Sequence, residues 1–136
     1  MIETSERRGG GINAQRIEWL RRTETEAFRA KRPKSEHAFG KGIAGFHGGV
    51  PMHWMQDWPT PFPIMVDRAR GATLVDIDGN GLADFCLGDT GSMFGHSPAP
   101  VVQAIRRQAT RGLTYMLPSE DAVAVGHLLV ETFGLP

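Results

Sequence analysis

The sequence predicts an α+β chain: an N-terminal helix, a small antiparallel meander and two further helices, joined by long loops rich in glycine and proline. Three features carry this expectation. A charged helical pattern over residues 13–30 gives way at 39–63 to a run of Gly, Pro and aromatic residues. Short strand-like stretches then alternate with Arg70-Gly71 and Asp78-Gly79-Asn80-Gly81, which are turn sequences. Beyond residue 98 the apolar spacing becomes helical again.

The elements follow in order. Asn13 is placed to cap a helix running to about Ala30, with Ile17, Leu20, Ala27 and Phe28 on one side and Glu18/Arg22 and Arg22/Glu26 at i,i+4 spacing. Its apolar stripe is thin, so such a helix needs another surface to lie on. Pro33 is expected to end it. From Phe39 to Pro63 the glycines and prolines exclude a long helix or a central strand, because proline removes a backbone donor and glycine costs entropy. Phe39, Phe46, Trp54, Trp58 and Phe62 would be costly to leave in water, so this segment is expected to be an ordered loop that packs onto something. Strands are predicted at 63–68, 72–77 and 82–87. Glycine-rich loop 88–98 leads into a helix with Pro100 in its first turn, faced by Val101, Ala104, Ile105 and Gln108 and stopped by Gly112. Ser119 is the expected N-cap of a last helix whose apolar stripe is Ala122, Val125, Leu128, Leu129 and Phe133.

Composition narrows the function classes. Basic and acidic side chains balance at 15 each in 136 residues, which removes the main compositional argument for nucleic-acid binding. Charge is nevertheless uneven: residues 1–43 hold 10 basic and 6 acidic groups, and the remainder 5 and 9. The interleaved glutamates of the first helix make it a solvated or subunit-facing surface rather than a nucleic-acid contact. No apolar run approaches the roughly 20 residues of a membrane span, so no membrane association is expected. Residues 1–11 have no apolar core of a secretory leader, and a single cysteine excludes an intramolecular disulfide framework. A cytoplasmic location is the expectation. Gly9-Gly10-Gly11 has no strand before it and reads as a flexible tail.

Candidate sites are few. Asp76-Ile77-Asp78-Gly79-Asn80-Gly81 opens like an EF-hand loop, with oxygen ligands at positions 1, 3 and 5 and the glycine at 6. The twelfth position is Leu87 instead of a carboxylate and the flanks read as strands, which favours a plain hairpin turn. The five histidines, at 37, 47, 53, 96 and 127, show no H-x-x-x-H or H-E-x-x-H spacing, so no metal site is expected. His127 reads as a boundary residue, and His96 as a cap that bonds loop backbone. Cys86 is expected to be a small buried side chain in the third strand.

Taken together, Gly71-Ala72-x-Leu74-x-Asp76-x-Asp78-Gly79-Asn80, Asp84-Phe85, Gly95-His96-Ser97, Val101-x-x-Ala104-Ile105 and Pro118-Ser119-Glu120 resemble the N-terminal part of class III pyridoxal-phosphate-dependent aminotransferases. Within that class they look most like the glutamate-1-semialdehyde aminomutase and β-amino-acid transaminase branch. The resemblance covers residues 48–136 and rests on the order and spacing of the pieces. It implies a fragment of a fold type I pyridoxal-phosphate-dependent transferase, α/β in the full-length parent. The implied organisation is a charged helical extension over 1–38, a substrate-side loop over 39–62, and over 63–136 the small-domain meander and the start of a truncated large domain.

The resemblance also implies a cofactor, pyridoxal 5'-phosphate, bound in the parent as a Schiff base with a lysine outside the matched stretch. Lys31, Lys34 and Lys41 are the only lysines here and match no such role, so this chain alone is expected to be inactive. The parent would use an amino-acid or amine donor and a keto acceptor, and would be a homodimer. By position, His53, Trp54 and Gln56, and Asp89, Thr90 and Ser92, correspond to segments lining the substrate pocket. Met116, Pro118 and Ser119 correspond to a segment near the subunit boundary. Many relatives place an arginine after a Gly-Gly-Val stretch, whereas no Arg or Lys occurs here between Lys41 and Arg68. Trp54 therefore suggests an apolar or stacking contact in place of a carboxylate clamp. Asp89, where aminomutase-type relatives carry a tryptophan, suggests an amine or hydroxyl on the substrate. The alternative is a non-catalytic interaction module that docks onto a full-length subunit.

Overall fold

A computed structural model describes residues 13–41 and 45–134. The expected tail at Gly9-Gly10-Gly11 lies outside the described residues. The chain divides into two units, one through His96 and one from Ser97.

The first unit begins with α1 (Ala14–Lys31), capped as expected: the Asn13 side chain accepts from the Arg16 amide at 3.0 Å. The expected i,i+4 pairs give way to a two-point contact at i,i+3, in which Arg21 donates to both Glu18 oxygens at 2.7 and 3.0 Å. The guanidinium fork matches the carboxylate, and the pair holds Glu18 below its usual range. Proline 33 ends α1 but also starts α2 (Pro33–Gly40), a helix the sequence reading missed. Proline at the first helical position lacks only an N–H that has no helical partner there, so it initiates as readily as it terminates.

The sheet is a three-stranded antiparallel meander, β1 (Val66–Arg70), β2 (Thr73–Asp76) and β3 (Gly81–Ala83), in the order β1-β2-β3. Its register is irregular between Val66 and Arg68, which delays regular pairing of β1 past the predicted start at 63. The third strand is much shorter than predicted. Its ladder stops at Ala83 because the carboxylate of Asp84 takes the next free amides, those of Cys86 and Leu87, both at 2.9 Å, and folds the chain into a turn. Cys86 is accordingly exposed beyond the strand and not buried within it.

What joins helices to sheet is the turn between β2 and β3. It is more than a plain hairpin turn, and its side chains face protein instead of an ion. Asp76, with 1% of its surface exposed, accepts from the amides of Asp78 at 3.0 Å and Asn80 at 2.7 Å, and faces Arg32 Nε at 3.1 Å. The Asp78 carboxylate takes the amides of Lys34 (2.7 Å) and Ser35 (3.0 Å) and the Ser35 hydroxyl (2.8 Å), capping α2 from 44 residues away. Asn80 donates to the Lys31 carbonyl at 2.9 Å, satisfying the end of α1. Arg32 also lies over the Phe28 ring at 4.4 Å, and Phe28 meets Phe62 at 5.1 Å. Phe62 and Val50 are the buried apolar residues of this unit.

Within the 39–63 segment Phe39 belongs to α2, and the described residues from 45 onward include 3₁₀ turns at His47–Gly49 and His53–Gln56. Its aromatics are covered only in part: Phe62 is buried, whereas Phe46, Trp54 and Trp58 are about half exposed or more.

The second unit holds α3 (Ala99–Ala109) and α4 (Glu120–Phe133). Gly112 sits in the turn after α3 at φ 97°, and the Tyr115 hydroxyl ties that turn by donating to the Arg111 carbonyl at 2.7 Å while accepting from Gln108 at 2.9 Å. Ser119 occupies the N-cap of α4, but its side chain makes no capping bond. The predicted apolar stripe of α4 is exposed throughout, so here periodicity marks a face without a partner and not a core.

Burial alone would raise the Asp76 carboxyl, but hydrogen bonds from the Asn80 side chain and amide, the charge of the Arg32 guanidinium and a hydrogen bond from the Asp78 amide outweigh it and hold it below its ordinary value. Burial opposes Asp78 in the same way and is outweighed by the Lys34 and Ser35 donors. Folded values below the unfolded ones mean that both carboxylates stabilise the fold above about pH 5 and cease to as pH falls through the lowered values. The Lys34 and Ser35 amide resonances are expected to titrate with a midpoint below 3.8; a midpoint at or above it would contradict the clamp. Asp76→Ala strands Arg32 without its buried partner and is expected to cost about 3 kcal/mol in urea unfolding.

Candidate functional site

The two predicted substrate segments both lie in the first unit, and each is built differently. His53, Trp54 and Gln56 occupy a single 3₁₀ turn that opens after extended Met52. His53 and Trp54 project outward, Trp54 with 47% of its surface exposed, so it is available to stack. Gln56 instead turns back, its Nε2–H donating to the His47 carbonyl at 3.1 Å. It lies against Gly48, whose φ of 63° and lack of a side chain leave room for the amide. Gln56 thus braces one 3₁₀ turn against the other and borders a cleft of about 170 Å³ with Phe39, Met55, Trp58 and Phe62.

Asp89, Thr90 and Ser92 sit on the loop following β3. Leu87 and Asp89 both adopt left-handed backbone, at φ 50° and 56°, an uncommon conformation for residues other than glycine. The loop is knit by its own amides: Gly91 to the Gly88 carbonyl at 3.0 Å, Ser92 to Leu87 at 2.9 Å, and Gly95 to Ser92 at 2.8 Å. Asp89 and Thr90 are exposed, and Asp89 Oδ1 lies 3.5 Å from the Cys86 thiol. Ser92 is half-buried.

Both ends of this loop are held by residues that the sequence reading did not place together. The backbone of His96 exchanges hydrogen bonds with Gly71 in both directions, at 2.8 and 2.9 Å. Gly95 is required there, since a Cβ would stand 3.0 Å from the Gly71 Cα. The His96 ring, expected to bond backbone, instead donates its Nε2–H to Asp84 Oδ2 at 2.6 Å. That bond, followed by the Leu87 amide, holds the Asp84 carboxyl below its ordinary range. The only advance signal was that Gly71, Asp84 and Gly95-His96 all belong to the motif string; their mutual contact was not legible.

Met116, Pro118 and Ser119 lie in the second unit between α3 and α4, with Met116 almost fully exposed. Among the described residues no three His, Cys, Asp or Glu side chains gather as a metal site. In particular, the carboxylates of the Asp76 turn are taken up by Asn80, Arg32 and the start of α2, which closes the calcium alternative. Among the described residues no helix is long and apolar enough to cross a membrane.

No protein-family model matches the chain. It is 37% identical over 97 residues to a glutamate-1-semialdehyde 2,1-aminomutase of Thermoplasma acidophilum, covering 70% of this chain and 22% of that protein. Among solved structures, a glutamate-1-semialdehyde aminomutase from Pseudomonas aeruginosa matches 93% of this chain and 28% of its own, at 45% identity and a TM-score of 0.82. A β-phenylalanine aminotransferase from Variovorax paradoxus shares the fold over 85% of this chain and 26% of its own, at 23% identity and a TM-score of 0.72. Fold and motif string together make this chain a segment of a class III pyridoxal-phosphate-dependent aminotransferase. The relatives named glutamate-1-semialdehyde 2,1-aminomutase are among those it is similar to, and it spans about a fifth of the length of the curated relatives it matches.

Lys31, Lys34 and Lys41 are all exposed and lie on or directly after the α1–α2 pair, where Lys31 and Lys34 already engage the Asp76 turn through their backbones.

Replacing Gly48 by alanine forces a Cβ into the Gln56 amide at a left-handed position. Gly48→Ala is expected to release Gln56 from His47 and to cost about 1 kcal/mol or more in thermal or urea unfolding.

Proposed function

We propose that this chain supplies the substrate-side wall of a pyridoxal-phosphate transaminase or aminomutase, which moves an amino group between an amine or amino-acid donor and a keto acceptor. The observation that carries the proposal is the match in both fold and sequence over 93% of the chain to a glutamate-1-semialdehyde aminomutase. In this reading Trp54 offers an apolar face to the substrate, and Asp89 with Thr90 and Ser92 offers acceptors for an amine or hydroxyl. The cofactor, its lysine and its phosphate turn come from outside this chain, the assembled enzyme is a homodimer, and its location is cytoplasmic. A neighbouring structure is of an aminomutase variant in complex with PMP, which supports the same cofactor class for the parent.

A second reading, an interaction module that docks onto a full-length subunit, is favoured by the exposed apolar residues Met116, Leu117, Leu128 and Phe133 of the second unit. Sedimentation of the chain mixed with a full-length relative separates the two: a stable stoichiometric complex supports the module.

The purified 136-residue chain is expected to give no turnover with pyridoxal phosphate and a panel of amino donors, and no lysine adduct after borohydride treatment. A trapped adduct detected by peptide mass would overturn the inactivity of the isolated chain.

A further inference from the structure

The 84–96 loop has an unusual combination of features. It carries three of the proposed substrate-facing residues, it holds two non-glycine residues in left-handed backbone, and its base is closed by one part-buried side-chain pair. Left-handed Leu87 and Asp89 are unfavourable in isolation, so the surroundings must impose them. The local amide bonds are all short-range within the loop. Among the described residues Asp84 makes the direct side-chain link from the loop's start to its end: Oδ1 gathers the amides of Cys86 and Leu87, while Oδ2 receives the His96 ring. The pair is shielded, with side-chain exposures of 9% for Asp84 and 19% for His96, so water competes weakly for it. His96 is in turn fixed by its two backbone bonds to Gly71 at the β1–β2 turn.

We propose that Asp84 and His96 are positioning residues, a latch that holds the 87–95 loop in one preformed conformation and so presents Asp89, Thr90 and Ser92 to substrate. The proposal rests on the transaminase reading for what the loop faces. The latch itself is a property of this chain and can be measured without substrate or cofactor. Glutamine at 96 keeps an N–H donor at a reach similar to that of imidazole Nε2, whereas alanine removes it, which separates the hydrogen bond from mere occupancy of the site.

Amide hydrogen exchange of the purified 136-residue chain tests this with wild type, His96→Ala and His96→Gln. His96→Ala is expected to raise exchange at Cys86, Leu87, Gly91, Ser92 and Gly95 by about tenfold, the scale of losing one charge-assisted hydrogen bond. The amides of Asp76 and Ile77, bonded at the far end of the sheet to Asn80 and Met65, are expected to keep their protection. His96→Gln is expected to restore most of the loop protection. Three results would overturn the latch: loop exchange in His96→Ala equal to wild type, exchange in His96→Gln as fast as in His96→Ala, or an equal rise at Asp76 and Ile77. None of these bears on whether the parent is a transaminase, and a borohydride-trapped adduct would change the reading of the chain's inactivity without touching the latch.

Discussion

The carboxylate of Asp76 is the constraint on which the first unit depends. A buried anion is tolerated only if its charge is matched and its lone pairs are filled. Arg32 and the amides of Asp78 and Asn80 do this, and in doing so they bring the α1–α2 junction onto the β2–β3 turn. Asp78 then caps α2 and Asn80 caps the carbonyl end of α1, so three residues of one turn satisfy two helix ends. The apolar contribution is small by comparison, since among the described residues Val50 and Phe62 are the buried hydrophobic ones. Helices this charged could not be held by burial alone, which is why the join is polar.

A second polar knot repeats the logic at the other end of the sheet. Asp84, His96 and Gly71 close a loop much as Asp76, Asp78 and Asn80 dock a helix pair. Six of the residues that make the chain resemble class III aminotransferases, Gly71, Asp76, Asp78, Asn80, Asp84 and His96, are members of these two knots. That part of the motif string marks a hydrogen-bond scaffold, and the candidate substrate residues Asp89, Thr90 and Ser92 occupy the loop between Asp84 and His96. Preorganisation of this kind lowers the entropy that a binding loop must give up when it meets its ligand.

Most elements were legible because their signals are local. Asn13 and Pro100 act within one turn of the helices they begin, and Arg70-Gly71 and Asp78-Gly79 bend the chain by their own backbone preferences. Less local matters were misread. Alpha-helix α2 was missed because proline signals an end as well as a start, and because its cap arrives from Asp78 instead of from a neighbouring residue. Strand β3 was drawn too long because Phe85, Cys86 and Leu87 have strand-like side chains, and only the reach of Asp84 to their amides shows that they turn. The Asp76 turn reads in sequence as a plain hairpin turn, and only the tertiary structure shows that its carboxylates reach Arg32, Lys34 and Ser35.

For the candidate site, the sequence by itself determined the residue types and their segments: a tryptophan-bearing segment with no Arg or Lys between Lys41 and Arg68, and a glycine-rich loop carrying Asp89, Thr90 and Ser92. It also determined the family, through the order of its motifs. Only the tertiary structure decided that Gln56 is a brace for the His47 turn, that Cys86 is exposed, and that His96 closes a loop through Asp84. The physical reason is range. Backbone preferences and apolar periodicity act over a few residues and can be read along the chain, whereas the partner of a buried charge is chosen by whichever donor the fold delivers, here from 12 to 44 positions away.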